Sequence, residues 1–494
     1  MFSQLSSPAL SASTQEANDT PQYRPSYHFT PQRHWMNDPN GLVFHNGTYH
    51  LFFQHYPKGI TWGPMHWGHA TSQDLTSWQE HPIALAPDEL GMIFSGSVVI
   101  DQHNTSTLGK PGQAPWIAIF TNHDDKAQEA GRMDVQHQSL AYSLDEGKTW
   151  EKYAGNPVLK NPGVKDFRDP KVFWHEASAQ WIMSLAAHDR IQFYSSSNLK
   201  DWHKESEFGA DAGSHEGVWE CPDLVPLRVE GAVRWVLIVS LVAGGPNGGS
   251  ATQYFVGDFD GRQFTPEHQD IRWLDQGPDN YAGVTWHNTG ERTVFIGWMS
   301  NWVYAKEVPT SPWRSAMTLP RDLGLKKVND QHYLTATPSS EVLHPIHAAP
   351  KNGAKLSSGE VDLSHAIQDN HGRLAMEISA PELDNFCITL SNDQGDQLTI
   401  DYNRSTGHYQ VDRRQSGVHE FNDKFPQVLH AKRINASMDA HVTLYFDRTS
   451  VELFADHGLT VMTSLFFPKA PYTRAMIQAE GAMRNGQVSW QKAW

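Results

Sequence analysis

Three acidic residues of this chain stand in neighbourhoods that suit acid–base and covalent chemistry. Asp38 lies inside Trp35-Met-Asn-Asp-Pro-Asn-Gly41, a turn-forming segment that surrounds the carboxylate with amides, Pro and Gly. Asp169 lies in Phe167-Arg-Asp-Pro170, where the adjacent Arg168 is expected to hold it ionised. Glu220 lies in Trp219-Glu-Cys-Pro-Asp223, between an indole and a thiol, a setting expected to raise its pKa. One ionised carboxylate and one proton-bearing carboxyl group are what glycoside hydrolysis requires: the first attacks or stabilises, the second protonates the leaving oxygen. Taken singly, such a segment is more often a plain Asp-Pro or Asp-Pro-Asn-Gly turn.

Other chemistries find less support. His66 and His69, with His55 nearby, form an H-x-x-H, but in a strand-turn context that spacing does not bring both imidazoles to one face, so no metal site is expected. The glycines of Gly244–Gly249 lack a following Lys-Ser/Thr and read as a loop. No G-x-S-x-G elbow or Cys–His pattern is present, and the reading calls for no cofactor.

The elements that must carry these carboxylates are strands. Short β-rich runs recur, such as Thr48–Phe53, Trp116–Thr121 and Trp235–Ser240, separated by turns rich in Gly, Asn, Asp or Pro. An internal repeat sharpens the picture. Ser72-Gln-Asp-Leu-Thr-Ser-Trp78 resembles Ser143-Leu-Asp-Glu-Gly-Lys-Thr-Trp150 and Ser196-Ser-Asn-Leu-Lys-Asp-Trp202, and Phe259-Asp-Gly-Arg-Gln-Phe264 is a weaker echo. A period of about 50–70 residues fits one four-stranded propeller blade. Segments carried on different blades converge on the central channel. The repeat fades after about residue 335, a Pro/Ala-rich connection follows, and His441–Phe446 and Val451–Phe454 flank the turn Asp447–Ser450 as a sandwich hairpin. The expected division is a leader at 1–23, a propeller at 24–338, a linker at 339–350 and a β-sandwich at 351–494.

Composition sets outer bounds. A length of 494 residues argues for more than one core. A net charge of −16 lacks the Lys/Arg excess that nucleic acid or an anionic membrane needs. No apolar run reaches the roughly 18–20 residues of a membrane span. The 18 tryptophans supply large buried areas and faces on which sugars stack. Two cysteines, Cys221 and Cys387, exclude a disulfide framework. The Ser/Ala/Thr/Gln-rich start lacks the basic and apolar regions of an intact signal peptide. It fits a secreted or periplasmic protein whose signal is already gone, with a cytoplasmic location open; oligomeric state has no sequence signal.

In order and spacing, Trp35–Gly41, Phe94-Ser-Gly-Ser97, Phe167–Pro170 and Trp219-Glu-Cys-Pro222 resemble the signature blocks of the β-fructofuranosidases of glycoside hydrolase family 32. Phe53–Pro57, Trp62–Ala70, Gly297–Trp302, Pro312–Met317 and Ser450–Phe454 extend the resemblance from about residue 24 to the C-terminus. It implies a five-bladed β-propeller followed by a β-sandwich, all-β, acting on fructan or sucrose. Residue by residue it implies Asp38 as nucleophile, Glu220 as acid/base, and Asp169 as the binder of fructose hydroxyls and transition-state stabiliser, with Arg168 fixing it. Trp35, Asn37, Gln54, Trp62, Phe94, Ser95 and Trp302 match pocket positions, Cys221 matches a residue that tunes the adjacent Glu, and Tyr281 has a place at the rim. Asn280 departs from the Phe of many relatives. Relatives that cut polymers internally often carry a Glu variant near the Asp38 turn, and Trp35–Gly41 has none, which implies exo action. Thr252–Gly261, Gly244–Pro246 and Pro309–Arg314 look most like exo-levanases and exo-inulinases. The expectation is a retaining exo-acting β-fructosidase on levan- or inulin-type fructans and sucrose; the alternatives are a fructosyltransferase using the same residues and an invertase acting mainly on sucrose.

Overall fold

The computed structural model describes residues 20–343, 351–356, 359–369, 374–381, 384–435, 440–479 and 486–492. Five sheets come first, antiparallel but for one short parallel pairing in the first. Their opening strands are His34–His45, Met92–Ile100, Phe167–His175, Trp219–Val229 and Tyr281–Thr285, one for each of blades I to V. Each of these strands packs against the next, and that of blade V returns to that of blade I, so they form the inner ring of a five-bladed propeller. The ring closes through Phe44 N–H to the His287 carbonyl at 2.9 Å and His287 N–H to the Leu42 carbonyl at 3.0 Å. Trp313–Arg314 also pairs in parallel with His34–Trp35.

The sequence repeat has one structural meaning. In blades I, II and III it forms the turn between the third and fourth strands. The serine hydroxyl meets the Asp or Asn two residues on, at 3.1 Å in Ser72–Asp74, 2.7 Å in Ser143–Asp145 and 3.2 Å in Ser196–Asn198. The indole N–H of Trp78, Trp150 and Trp202 each closes the turn on the carbonyl three residues back, at 3.1 Å. Buried polar groups are thus satisfied within the turn while the indole body packs between blades. In blade IV, Asp260 and Phe264 hold the same place.

Among the described residues two six-stranded sheets follow and form a β-sandwich. Strands such as Phe386–Ser391 and Gln397–Asn403 alternate buried with part-exposed residues, as expected where one face meets the core and the other water. Ser450–Ala455 and Thr460–Leu465 are buried at every position, because the outer side of this sheet edge lies against the propeller. That seam holds charge. Arg321 of blade V donates to Asp275 at 2.9 Å, Glu452 at 2.6 Å and the Thr463 hydroxyl at 2.7 Å. The His28 ring bridges Asp447 at 2.9 Å and Glu452 at 2.8 Å. All five of these charged side chains are completely buried.

The leader expected at 1–23 does not extend over its last residues. Pro21–Tyr23 form a 3₁₀ turn, Tyr23 is buried, and Thr20 pairs with Ser311 through three hydrogen bonds at 2.8, 3.0 and 2.8 Å. Residues 1–19 and 344–350 of the expected leader and linker lie outside the described residues, whereas Ser339 and Val342 are fully buried.

Candidate active site

Every inner strand carries a β-bulge at the same level. In blade I, Asn37 and Asp38 together oppose Gln54, since Met36 pairs with His55 and Pro39 with Phe53. In blade II, Phe94 and Ser95 oppose Thr121. In blade III, Asp169 and Pro170 oppose Leu185; in blade IV, Cys221 and Pro222 oppose Val239. In blade V, Ala282 and Gly283 oppose Gly297. A bulge bends its strand and re-aims the side chain it carries, and five of them in register turn these residues into one basin at the mouth of the channel. Asp169, Cys221 and Ala282 accordingly adopt left-handed backbone, with φ of 66°, 47° and 54°. Gly96 is needed because a Cβ there would sit 2.2 Å from the Ile119 carbonyl oxygen.

Asp38 accepts the Ser95 hydroxyl at 2.6 Å and the Asn37 amide at 2.9 Å, and Asn37 is itself oriented by the Trp35 indole N–H at 2.7 Å. The Cys221 thiol stands 3.6 Å from Asp38 Oδ2 and 3.6 Å from Asp169 Oδ2. Asp169 Oδ2 also accepts the Cys221 backbone N–H at 3.0 Å. Burial and then the charge of Glu220 push the Asp38 carboxyl above its ordinary value, against the hydrogen bonds from Ser95, Asn37 and Cys221. The thiol of Cys221 is pushed up by burial and by the surrounding carboxylates, so it stays protonated.

Two sequence expectations are corrected here. Arg168 does not grip Asp169: its Nε and Nη2 donate to Glu220 Oε1 at 3.0 and 2.7 Å, and its Nη1 to Asp166 at 2.7 Å and Gln136 at 3.3 Å. Successive strand residues point to opposite sides, so an Arg beside an Asp in sequence reaches elsewhere in space. Nor is Asp169 held ionised by its neighbour. Burial and the charge of Glu220 raise its pKa, and the attraction of Arg168 only partly offsets them.

Glu220 likewise has other surroundings than its sequence neighbours suggest. The Trp219 indole turns away to stack on His215 and donates to the Ser214 carbonyl at 2.8 Å, while the Cys221 thiol faces the two aspartates. Glu220 instead meets Arg168 on one oxygen and the Tyr281 hydroxyl on the other.

The remaining expected pocket residues gather around this basin in two layers. Trp62 and Phe94 are part-exposed and meet edge to face at 6.2 Å; Trp302 is part-exposed and stacks on Trp35 at 5.9 Å. Trp35 has no exposed surface, so it backs the wall instead of forming it. Gln54 is buried and donates to Asn40 at 2.8 Å. Asn280 is not at the rim: it is buried and points at Asp275, 3.3 Å away. Sequence reasoning missed Asp166, a bend residue just before the blade III inner strand whose carboxylate accepts Arg168 at 2.7 Å; its segment carries no local mark. It also missed Gln136 and Thr121, the latter receiving the Asp169 N–H at 3.0 Å, and His123, stacked on Phe94 at 4.5 Å. These come from neighbouring strands with no local mark. His66 and His69 point to opposite sides of their strand; His69 stacks on Phe52 at 4.2 Å, and burial pushes its pKa down to about 2, leaving a neutral ring. The Cys221 thiol takes part in no disulfide.

Such a basin, with three carboxyl groups, a protonated thiol and aromatic walls, can attack, protonate and stabilise positive charge on one small polar ring. Comparison with known proteins agrees. Residues 28–338 match the profile described as glycosyl hydrolases family 32 N-terminal domain, and residues 341–494 the corresponding C-terminal profile. A levanase of Bacillus subtilis is 44% identical over 486 residues, covering 95% of this chain and 70% of its own length. An extracellular exo-inulinase of Aspergillus niger is 40% identical over 512 residues, covering 96% and 95%. The crystal structure of an exo-inulinase from Aspergillus awamori superposes with a TM-score of 0.86 at 37% identity, covering 96% of this chain and 98% of that one.

Proposed function

The chain belongs to glycosyl hydrolase family 32, and from that membership we propose how its three carboxyl groups divide the reaction. It is a glycoside hydrolase of the β-fructofuranosidase kind, exo-acting on fructans and sucrose. Asp38 attacks the anomeric carbon of a terminal fructosyl unit and forms a covalent fructosyl-enzyme as the glycosidic C–O bond breaks. Glu220 gives its proton to the departing oxygen. It then takes one from the water that displaces Asp38, which restores both groups. Tyr281 suits both halves of the cycle, because a neutral phenol donates to the carboxylate and accepts from the protonated acid. Burial and the nearby carboxylates hold its pKa well above the ordinary value, so it remains a phenol.

Asp169 binds fructose hydroxyls and stabilises the oxocarbenium-like transition state. Asn37, Trp62, Phe94, Ser95 and Trp302 face the sugar, while Trp35 orients Asn37, Arg168 holds Glu220, Cys221 holds the two aspartates and Gln54 holds Asn40. The observation that carries this reading is the Cys221 thiol placed 3.6 Å from an oxygen of each aspartate, with Glu220 the preceding residue on the same bulged strand. That closeness supports a division in which attack, stabilisation and protonation act on a single sugar ring. The extracellular relative supports secretion of this chain as well.

Product analysis on levan, inulin and sucrose tests the assignment. Free fructose as the sole early product from each polymer supports exo-hydrolysis. Early fructo-oligosaccharides from the polymers overturn the exo reading, and trisaccharides as the main product from concentrated sucrose would make the protein a transferase.

A further inference from the structure

The sandwich domain reaches into the catalytic machinery. Its edge strand Thr460–Leu465 lies along residues 275–279, which lead into the inner strand of blade V. Gln276 N–H donates to the Val461 carbonyl at 2.8 Å, and a Cβ at Gly277 would fall 2.1 Å from the Thr463 carbonyl oxygen, so the two backbones touch. Asp275 receives the Thr463 N–H at 2.9 Å. Asp279, fully buried, receives the Leu465 N–H at 2.9 Å, the Tyr304 hydroxyl at 2.5 Å and Arg413 Nη1 at 2.9 Å. Tyr281, two residues on, is the donor to Glu220.

Arg413 comes from the sandwich strand His408–Gln415 and is itself immobilised. It is completely buried, stacks 4.0 Å over the Phe425 ring and donates Nε to the Phe425 carbonyl at 2.7 Å. Its Nη2 donates to the Tyr304 hydroxyl at 3.1 Å. One guanidinium therefore ties down both chain segments that bear site residues on this side: 279–281, with Tyr281, and 302–304, with Trp302 stacked on Trp35.

We propose that Arg413 is a positioning residue for hydrolysis: acting from the second domain through Asp279, it sets the Tyr281 hydroxyl against Glu220. The proposal rests on the reading of Glu220 as the acid. A tilt of the Asp279–Tyr281 segment would misplace the phenol relative to Glu220, and small misplacements of a catalytic array carry large rate costs. The loss should fall on proton delivery, so it should be largest where the leaving group most needs a proton.

The test uses the full chain with Arg413→Met, Arg413→Lys and Asp279→Asn, alongside Tyr281→Phe and Glu220→Gln. Each variant is assayed for kcat and KM on sucrose and on an aryl β-fructofuranoside with a nitrophenyl leaving group. Arg413→Met should lose on the order of 10-fold more kcat on sucrose than on the aryl substrate, with Arg413→Lys recovering part of the difference. In a Tyr281→Phe background the Arg413 substitution should no longer change the ratio of the two activities, since both act through one contact. Asp279→Asn, which keeps the shape of the side chain, carries the same expectation should Arg413→Met not fold. An unchanged ratio in the Arg413 and Asp279 variants, while Glu220→Gln shifts it, overturns the positioning role and leaves Glu220 as the acid. An unchanged ratio in Glu220→Gln itself overturns the acid assignment, and the positioning role with it.

Discussion

Arg168 holds Glu220 by two hydrogen bonds to a single carboxylate oxygen, Oε1, at 3.0 and 2.7 Å. The pair joins blade III to blade IV and leaves Oε2 to a different partner. With Oε1 occupied by the guanidinium, Oε2 receives the Tyr281 hydroxyl.

Glu220→Gln should lose most activity on sucrose and retain far more on a substrate with a good leaving group. General acid catalysis is worth about 10²–10⁴-fold and matters least when the leaving oxygen is already stable as an anion. Steady-state kcat on the two substrates checks this; equal losses remove Glu220 from the role.

The first-formed product should keep the anomeric configuration of the substrate. Double displacement needs the two carboxyl groups about 5–5.5 Å apart, against about 6.5–9.5 Å when a water must fit between them. Proton NMR of the product in the first minutes, before mutarotation, reads this directly, and an inverted first product would replace the covalent intermediate with direct attack by water.

Asp169→Asn should lower kcat on the order of 10²–10³-fold with little change in KM, because its hydrogen bonds strengthen as charge develops on the ring. It should also stabilise the free enzyme. The native pKa of Asp169 is raised, so ionising it costs more in the folded than in the unfolded state, and its contribution turns unfavourable as pH rises above the ordinary carboxylate value. The gain in Tm of the variant should therefore be larger at pH 7 than at pH 4. A raised KM at unchanged kcat would make Asp169 a ground-state binder only.

His28 should make the domain seam sensitive to alkali. Burial disfavours its charged form, but the hydrogen bonds and charges of Asp447 and Glu452 outweigh this and push its pKa up to about 9. A raised histidine pKa gives stability that is complete below about pH 6.5 and is lost as pH climbs through the folded value. The amount at stake is roughly 3 kcal/mol. Against burial, Arg321 and His28 push Glu452 down to about 2, so its share is complete above the ordinary carboxylate value and is lost in acid. Urea unfolding of the wild type and of His28→Gln from pH 5 to 10 should show the two curves converging between about pH 6.5 and 9; parallel curves would mean that the His28 charge contributes nothing to the seam.

Much of the protein was legible in the sequence because the signals were local. The Ser-x-Asp…Trp repeat is a self-contained turn whose hydrogen bonds close within a few residues, so it marks blades wherever it occurs, and blade V, which lacks it, was the least visible. Strand runs such as Trp116–Thr121 and the hairpin on either side of Asp447–Ser450 announced themselves by apolar content and turn residues, and both form as expected. Asp38, Asp169 and Glu220 stood out because their segments combine unusual residues, and all three face one basin.

Tertiary structure decided which groups those carboxylates meet. The five register bulges are invisible in the chain, since each arises from an extra residue relative to a partner strand that the sequence does not name. They turn Cys221 toward two aspartates from other blades and bring Arg168 to Glu220, while Asn280, just ahead of the blade V strand, turns to Asp275. Burial then reversed the expectation for Asp169: sequence adjacency put a positive charge beside it, while the fold removed water and set Glu220 nearby, and those two effects exceed the attraction of Arg168. A sequence can declare which residues carry charge, but how far each charge reaches depends on distance and on water, and only the folded chain fixes both.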